Sequence, residues 1–508
     1  MRRATFLFTC VIALSWPPAA GAQQLGETPT YRVYPIPVES PAHTEPLPPA
    51  DARVLLDDPS HPTASPFGWH DVDGSTGADF TTTQGNNVVA YYDVNGNGQP
   101  DEGELADGGS ELAFDFPIDL ENPPFESADA VLTNLFYWAN AFHDILYLYG
   151  FDEASGNAQQ NNYGNGGIGG DPILIEGRDT SSGVTTNVPP DGGNPKVIVS
   201  LLDTPPFGAI ALDNWSTVHL LAHLASLRMT GGAGTTGCLS NEEQMGEGWS
   251  DWYGLMFTMR TEDTRNTLRR DNGFRPAPYT TDFAINDYTY GDTQTQAIPF
   301  GVGFVWATIL WEVTWDLIDA HGFDADIHNA TGAAGNIVAM RLVTEAMKHQ
   351  PCSPGFVDAR DAILLADQLL YGGAYEDMLW EAFARRGLGF SASQGSSNTN
   401  ADNVEAFDTP LPNALEDQVT QAALSLESLA PNPVHDELQI GFYLASAEHL
   451  RLTVYDTRGR TVAVLAEHSF PAGRHELRLN TLNMASGLYI LRAETSASAT
   501  TRQFAVAH

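Results

Sequence analysis

Apolar residues recur at three- and four-residue intervals in six stretches of the middle of the chain: 127–149, 214–229, 246–260, 302–320, 333–349 and 356–370. That period puts them on one face of a helix, and glycine just past several of the ends supplies a stop, so six helices are predicted. Ahead of them, residues 66–115 alternate apolar and polar positions over short runs such as 87–92, broken by turn clusters such as Asp71-Val72-Asp73-Gly74. Such runs predict short strands. The Gly/Asn-rich stretch 156–194 reads as a long surface excursion containing strands, and the polar segment 391–403 ends the helical part. Farther on, the runs 437–442, 450–455, 462–466, 475–479 and 487–493 alternate with a period of two. Five such runs separated by turns make a small β-sandwich. The fold class is therefore α+β, with a β-rich N-terminal part, a helical part and a terminal sandwich.

The start of the chain reads as an address. Arg2 and Arg3 precede the apolar run 4–16, and Ala20-Gly21-Ala22 offers small residues for cleavage before Gln23, so 1–22 is a secretory signal peptide. Residues 23–65 are proline-rich and read as an extended arm, 66–412 as the main domain, 413–425 as a linker and 426–508 as the sandwich. No stretch after the signal is expected to supply the ~20 apolar residues of a membrane span. Cys10 leaves with the signal, while Cys238 and Cys352 remain. In an oxidising compartment these two are a candidate disulfide, with two buried thiols as the alternative.

Charge narrows the partners. The 508 residues include 24 Lys+Arg against 64 Asp+Glu, a formal net charge of −40, and 42% are hydrophobic. The apolar content excludes a wholly disordered acidic chain, and the missing basic face excludes nucleic acid as a partner. Lys196 and Lys348 are the only lysines. A surface of hydrated carboxylates suits a protein that works in concentrated salt, the alternative being an ordinary acidic extracellular protein.

The segment Asp213-Asn214-Trp215-Ser216-Thr217-Val218-His219-Leu220-Leu221-Ala222-His223 carries the candidate chemistry. Histidines four apart on a helix face one way, the spacing by which a helix offers two imidazoles to one zinc ion. In the next helix, Glu247 and Asp251 are also four apart, so Glu247 is a candidate third ligand and Asp251 a candidate to orient a ligand histidine. Trp249 and Trp252, interleaved with these acids, argue for burial, where a carboxylate needs a partner. A second loop, Asp93, Asn95, Asn97, Asp101 and Glu104 with Gly98 at its sixth position, has the spacing of a calcium loop, although an ordinary Asn/Gly turn also fits.

Two resemblances sharpen this reading. The run from Thr230-Gly231-Gly232 through Gly237-Cys238-Leu239-Ser240 to Met245-Gly246-Glu247-Gly248-Trp249-Ser250-Asp251 resembles the fungalysin family of secreted zinc endopeptidases. Gly68-Trp69-His70-Asp71, Gly85-Asn86-Asn87-Val88, His143-Asp144, Leu310-Trp311-Glu312-Val313 and Pro351-Cys352 agree with it. The resemblance implies a thermolysin-like fold, protein substrates, and one zinc ion held by His219, His223 and Glu247 with Asp251 behind them. The tail runs Leu429-Ala430-Pro431-Asn432-Pro433 and Ala485-Ser486-Gly487-Leu488-Tyr489 resemble the C-terminal sorting domain of type IX secretion cargo. That implies recognition by the type IX machinery and an extracellular or cell-surface destination.

One position departs from the family motif His-Glu-x-x-His, because Leu220 follows the first histidine. In the family that glutamate accepts a proton from the attacking water and returns it to the leaving amine, which a leucine cannot do. The expectation is a zinc-binding homologue with peptide hydrolysis lost or much reduced and no catalytic residue at the general-base position. The alternative is an active zinc endopeptidase with a substitute base, for which Glu242 and Glu243 are candidates. The stretch after the signal is also shorter than the large propeptide the resemblance implies, which points the same way. Tyr288, Tyr290 and His321 are candidates for stabilising a tetrahedral intermediate.

Overall fold

The computed structural model describes residues 28–41, 53–178, 184–201, 210–270, 273–410, 424–458, 460–495 and 498–507. The signal peptide lies outside them, as does most of the stretch 413–425. Two small sheets build the N-terminal part. In the first, β1 (Thr30–Val33) sits between antiparallel β2 (Val54–Asp57) and parallel β4 (Ala113–Phe114). Tyr31, Val33 and Tyr34 are buried there, so part of the proline-rich stretch 23–65 is built into the core. The second sheet runs β3 (Val88–Tyr92), β5 (Ile173–Arg178), β7 (Lys196–Ser200) and β6 (Thr185–Asn187), parallel except for the last pair. A parallel strand is covered on both faces. Accordingly Ile173, Ile175 and Glu176 are wholly shielded, and the stretch 156–194 is only partly the surface excursion its composition suggests.

Among the described residues there are seven α-helices, the first between β4 and β5 and the rest after β7: α1 (Ala128–Leu148), α2 (Asn214–Met229), α3 (Gly246–Phe257), α4 (Phe300–His321), α5 (Gly335–His349), α6 (Phe356–Tyr371) and α7 (Glu376–Arg385). Helix α1 is buried from Ala130 to Leu146 and packs beneath both sheets. Helix α4 corrects the sequence reading, because its length and composition would suffice to cross a bilayer. Yet 94% of its most apolar window is buried inside the protein, and Glu312 on it binds Arg265, Arg385 and Arg386. It is the central helix of the core, largely apolar because neighbours surround it, with Glu312 and Asp316 paired to arginines.

The tail is a sandwich of two antiparallel sheets. One orders β12 (Gly473–Asn480), β9 (Glu437–Leu444) and β8 (Leu424–Ala430); the other β11 (Thr461–Phe470), β10 (Glu448–Asp456), β13 (Gly487–Glu494) and β14 (Ala499–Val506). Alternation along β9 buries Leu438, Ile440, Phe442 and Leu444, which meet Leu450, Leu452, Val454 and Leu491 in a core separate from that of the body.

Candidate metal centre

Helices α2 and α3 pack side by side, and each offers one face to a shared cavity. Asp213 caps α2, its carboxylate accepting the Ser216 backbone N–H at 3.2 Å, which satisfies one of the free N–H groups of the first turn. Close approach of the two helices depends on Gly254, where an added Cβ would stand 2.6 Å from the Trp215 indole nitrogen. On the other side of α3, a Cβ on Gly303 of α4 would stand 2.5 Å from Cβ of Glu247. Two glycines thus set where the Glu247 helix lies.

This packing brings His219, His223 and Glu247 together, with one ligand atom from each within 4.8 Å of the others. His219 Nε2 is 3.4 Å from Glu247 Oε2, and His223 Nε2 is 3.6 Å from Glu247 Oε1. The two imidazoles meet edge to face, with 5.0 Å between centroids. Behind them, Asp251 Oδ1 is 2.8 Å from His219 Nδ1, so the opposite ring nitrogen faces the cavity. Asp251 is fully buried and is held by Arg275, whose Nε and Nη2 donate to it at 2.6 and 2.8 Å, and by the Tyr279 hydroxyl. Arg275 Nη2 also donates to Glu247 Oε2 at 3.2 Å. Helical spacing reveals neither Arg275 nor Tyr279, since both come from an irregular segment between α3 and α4.

The electrostatics fit a metal. Burial pushes the His223 imidazole down to about 4, helped by the charge of His219, so His223 stays neutral with a lone pair to give. For Glu247 burial alone would raise the carboxyl, but His219, His223 and Arg275 outweigh it and leave it below the usual range, hence ionised. His219 is raised despite burial because Asp251 and Glu247 draw positive charge onto it. Two imidazoles and a carboxylate, one imidazole backed by a buried carboxylate, form the donor set of a three-ligand zinc site. Metal binding requires neutral imidazole and ionised carboxylate, and the environment favours those states at His223 and Glu247.

The site opens into a cavity of about 730 Å³, bordered by Leu220, Leu227, Trp215, Phe274 and Phe300 on its apolar side and by Asp213 and Arg270 on its polar side. Leu220 lies between the two histidines on α2 and is 6% exposed. The other sequence candidates lie elsewhere. Glu242 is exposed, whereas Glu243 is buried against the Tyr290 hydroxyl, and neither borders the cavity. Tyr288 packs on Phe304, and the exposed His321 packs on Tyr375. Cys238 and Cys352 are joined, with Cα atoms 4.6 Å apart, tying the loop that enters α3 to the segment before α6. In the 93–104 loop, Asp93 caps the Asn97 and Gly98 amides, while Asn95 and Asn97 donate to Asp101, and Asn95 also to Glu104. The side chains satisfy one another there as in a compact turn.

Comparison with known proteins agrees with this geometry. Residues 428–507 match the secretion system C-terminal sorting domain, the mark of an exported chain. The extracellular metalloproteinase MEP of Pyricularia oryzae is 38% identical over 74% of this chain and 60% of its own length. Extracellular metalloproteinase 2 of Trichophyton tonsurans is 36% identical over 74% and 61%, and the MEP protein of Fusarium vanettenii 38% over 75% and 60%. The chain thus spans about three-fifths of the length of the curated relatives it matches. Residues 30–392, most of the chain, match the fungalysin metallopeptidase model, and the chain belongs to that family, M36.

Proposed function

We propose that the protein is an exported fungalysin homologue that binds one zinc ion through His219, His223 and Glu247, with peptide hydrolysis lost or much reduced. The observation that carries this reading is the pairing of a complete donor set, drawn within 4.8 Å, with Leu220 at the rim of the same cavity. In the family motif that residue is the glutamate that moves the proton, and a hydrocarbon side chain can neither accept nor return one. Bound zinc would act as a Lewis acid on a carbonyl group in the cavity. The chain's own residues supply the rest: Asp251 orients His219, Arg275 fixes both carboxylates, and the apolar rim shields a peptide from water.

A substitute base finds little support among the described residues. Asp213 and Glu247 are the carboxylates that border the cavity, and Asp213 is held by Arg270 at 2.9 Å while Glu247 is a ligand in this reading. Glu243 keeps its proton at neutral pH, since burial pushes it up to about 8. The retained cavity suits a peptide or protein ligand outside the cell, and the tail suits recognition by the type IX secretion machinery. The domain limits change with it: a signal over 1–22, a peptidase-like domain reaching 412 that takes in β1 and β2 from the stretch read as an arm, 23–65, a linker from 413 that gives way to β8 at Leu424 rather than after 425, and the sorting sandwich from there to 508.

The test joins zinc analysis of the mature protein with a casein-type assay beside Leu220→Glu. About one equivalent of zinc, negligible turnover in the wild type, and a gain on the order of 10²-fold in the variant are expected. Zinc below about a tenth of an equivalent after zinc-supplemented purification refutes the metal site. Wild-type turnover at the level of an active fungalysin, abolished by His219→Ala, refutes the silent reading and demands another base.

A further inference from the structure

A second cluster of carboxylates stands in the loop before β3, apart from the zinc-type centre. Asp71, Asp73 and Asp79 each place one oxygen within 4.8 Å of the others. The loop is shaped by their bonds to it. Asp71 Oδ1 accepts the Gly74 N–H at 3.0 Å and the Tyr163 hydroxyl at 2.9 Å. Asp79 Oδ2 accepts the Val72 and Asp73 amides at 2.8 and 3.1 Å, and Asp73 Oδ1 accepts the Ser75 amide at 2.7 Å. None of these neutral donors cancels the charge, and among the described residues no Lys, Arg or His forms an ion pair with any of the three.

Asp71 supplies an independent observation. It is wholly shielded from solvent, and its Oδ2 lies buried with no hydrogen-bond donor in reach. A buried carboxylate oxygen without a partner, beside two like charges, is costly unless a cation completes the arrangement. Oxygen donors alone, without nitrogen or sulfur, select a hard ion. We propose that Asp71, Asp73 and Asp79 bind a divalent cation of the calcium type, which ties the 71–79 loop to the Tyr163 segment. That segment already reaches the loop through the Asn161 amide, which donates to the Val72 carbonyl at 3.0 Å. A site of three carboxylates, one of them exposed, falls in the weak range of ~10⁻⁴–10⁻³ M.

The test is calorimetric titration of CaCl₂ into the full-length, zinc-saturated protein, with the melting temperature followed in parallel. Asp73→Asn is the informative variant, because Asp73 is exposed and asparagine keeps the oxygen that caps Ser75. Expected are saturable binding and a rise in melting temperature in the wild type, with affinity at least about 10-fold weaker in Asp73→Asn and the calcium-free melting temperature unchanged. Asp101→Asn in the 93–104 loop should bind as the wild type does. The proposal is overturned if the wild type binds no calcium at about 10 mM, if Asp73→Asn binds equally well, or if Asp101→Asn abolishes binding instead.

Discussion

At the scale of single residues, the centre is a chain of charges in which each buried group is held by the next. Asp251 sits between His219 and Arg275, so removing its negative charge frees the histidine to rotate and leaves Arg275 facing Glu247 alone. Asp251→Asn should weaken zinc affinity by about 10–100-fold, measured by competition with a chromogenic chelator, with circular dichroism verifying the fold. Glu243 offers a test by pH. Burial raises its pKa to about 8, above an unfolded value of about 4.3, so the folded state keeps a proton that the unfolded state releases. That contribution is complete below the unfolded pKa and is lost as pH rises from about 4.3 to about 8, on the order of 1 kcal/mol per pH unit. Urea midpoints of the wild type and Glu243→Gln at pH 5 and pH 8 should differ in slope, the variant losing less; equal slopes would remove Glu243 from the account.

At the scale of elements, the helices that carry the histidines and Glu247 were legible from their apolar content, and α2 also from its side-chain cap. Asp213 before α2 and the glycine-led start of α3 lie at the predicted ends. Helix α7 was missed, being ten residues long with its buried residues confined to the stretch 379–384. Strands β8 and β14 were missed at the edges of the tail, β8 because it begins at Leu424, inside the stretch read as a linker. Arg275 and Tyr279 carry no periodic signal, since contacts across 24–28 residues of irregular chain leave no trace in local sequence. The approach of α2 to α3 also escaped sequence reading, and it predicts a cost. Gly254→Ala would drive a methyl group into the Trp215 indole, which should destabilise the protein by about 1–3 kcal/mol and loosen the His219 helix, lowering zinc affinity together with the melting temperature. The bridge between Cys238 and Cys352 closes a separation of 114 residues, so the paired Cys→Ser variant should lose about 2–5 kcal/mol in denaturant titration.

At the scale of the whole molecule, charge and core divide in the same place. From Leu424 to His508 the chain carries seven arginines against eight acids, whereas the remainder carries 17 basic and 56 acidic residues. The nearly neutral tail and the strongly acidic body have separate apolar cores, joined across their contact by the pair Arg458 to Asp358 at 2.9 Å. Self-repulsion therefore falls on the body. Its buried pairs, such as Arg386 with Glu312 at 2.9 Å, are poorly screened by salt, while its solvated carboxylates are strongly screened. Raising NaCl from 0.1 to 1 M shortens the screening length from about 10 to about 3 Å, relieving repulsion while leaving the internal pairs largely intact. Calorimetry should resolve two transitions, with the body's midpoint rising by several degrees over that range and the tail's moving less. The tail serves as the internal control, because any general effect of salt on apolar burial acts on both cores. Equal shifts would mean that net charge does not limit the body's stability, and the acidic composition would then need another explanation.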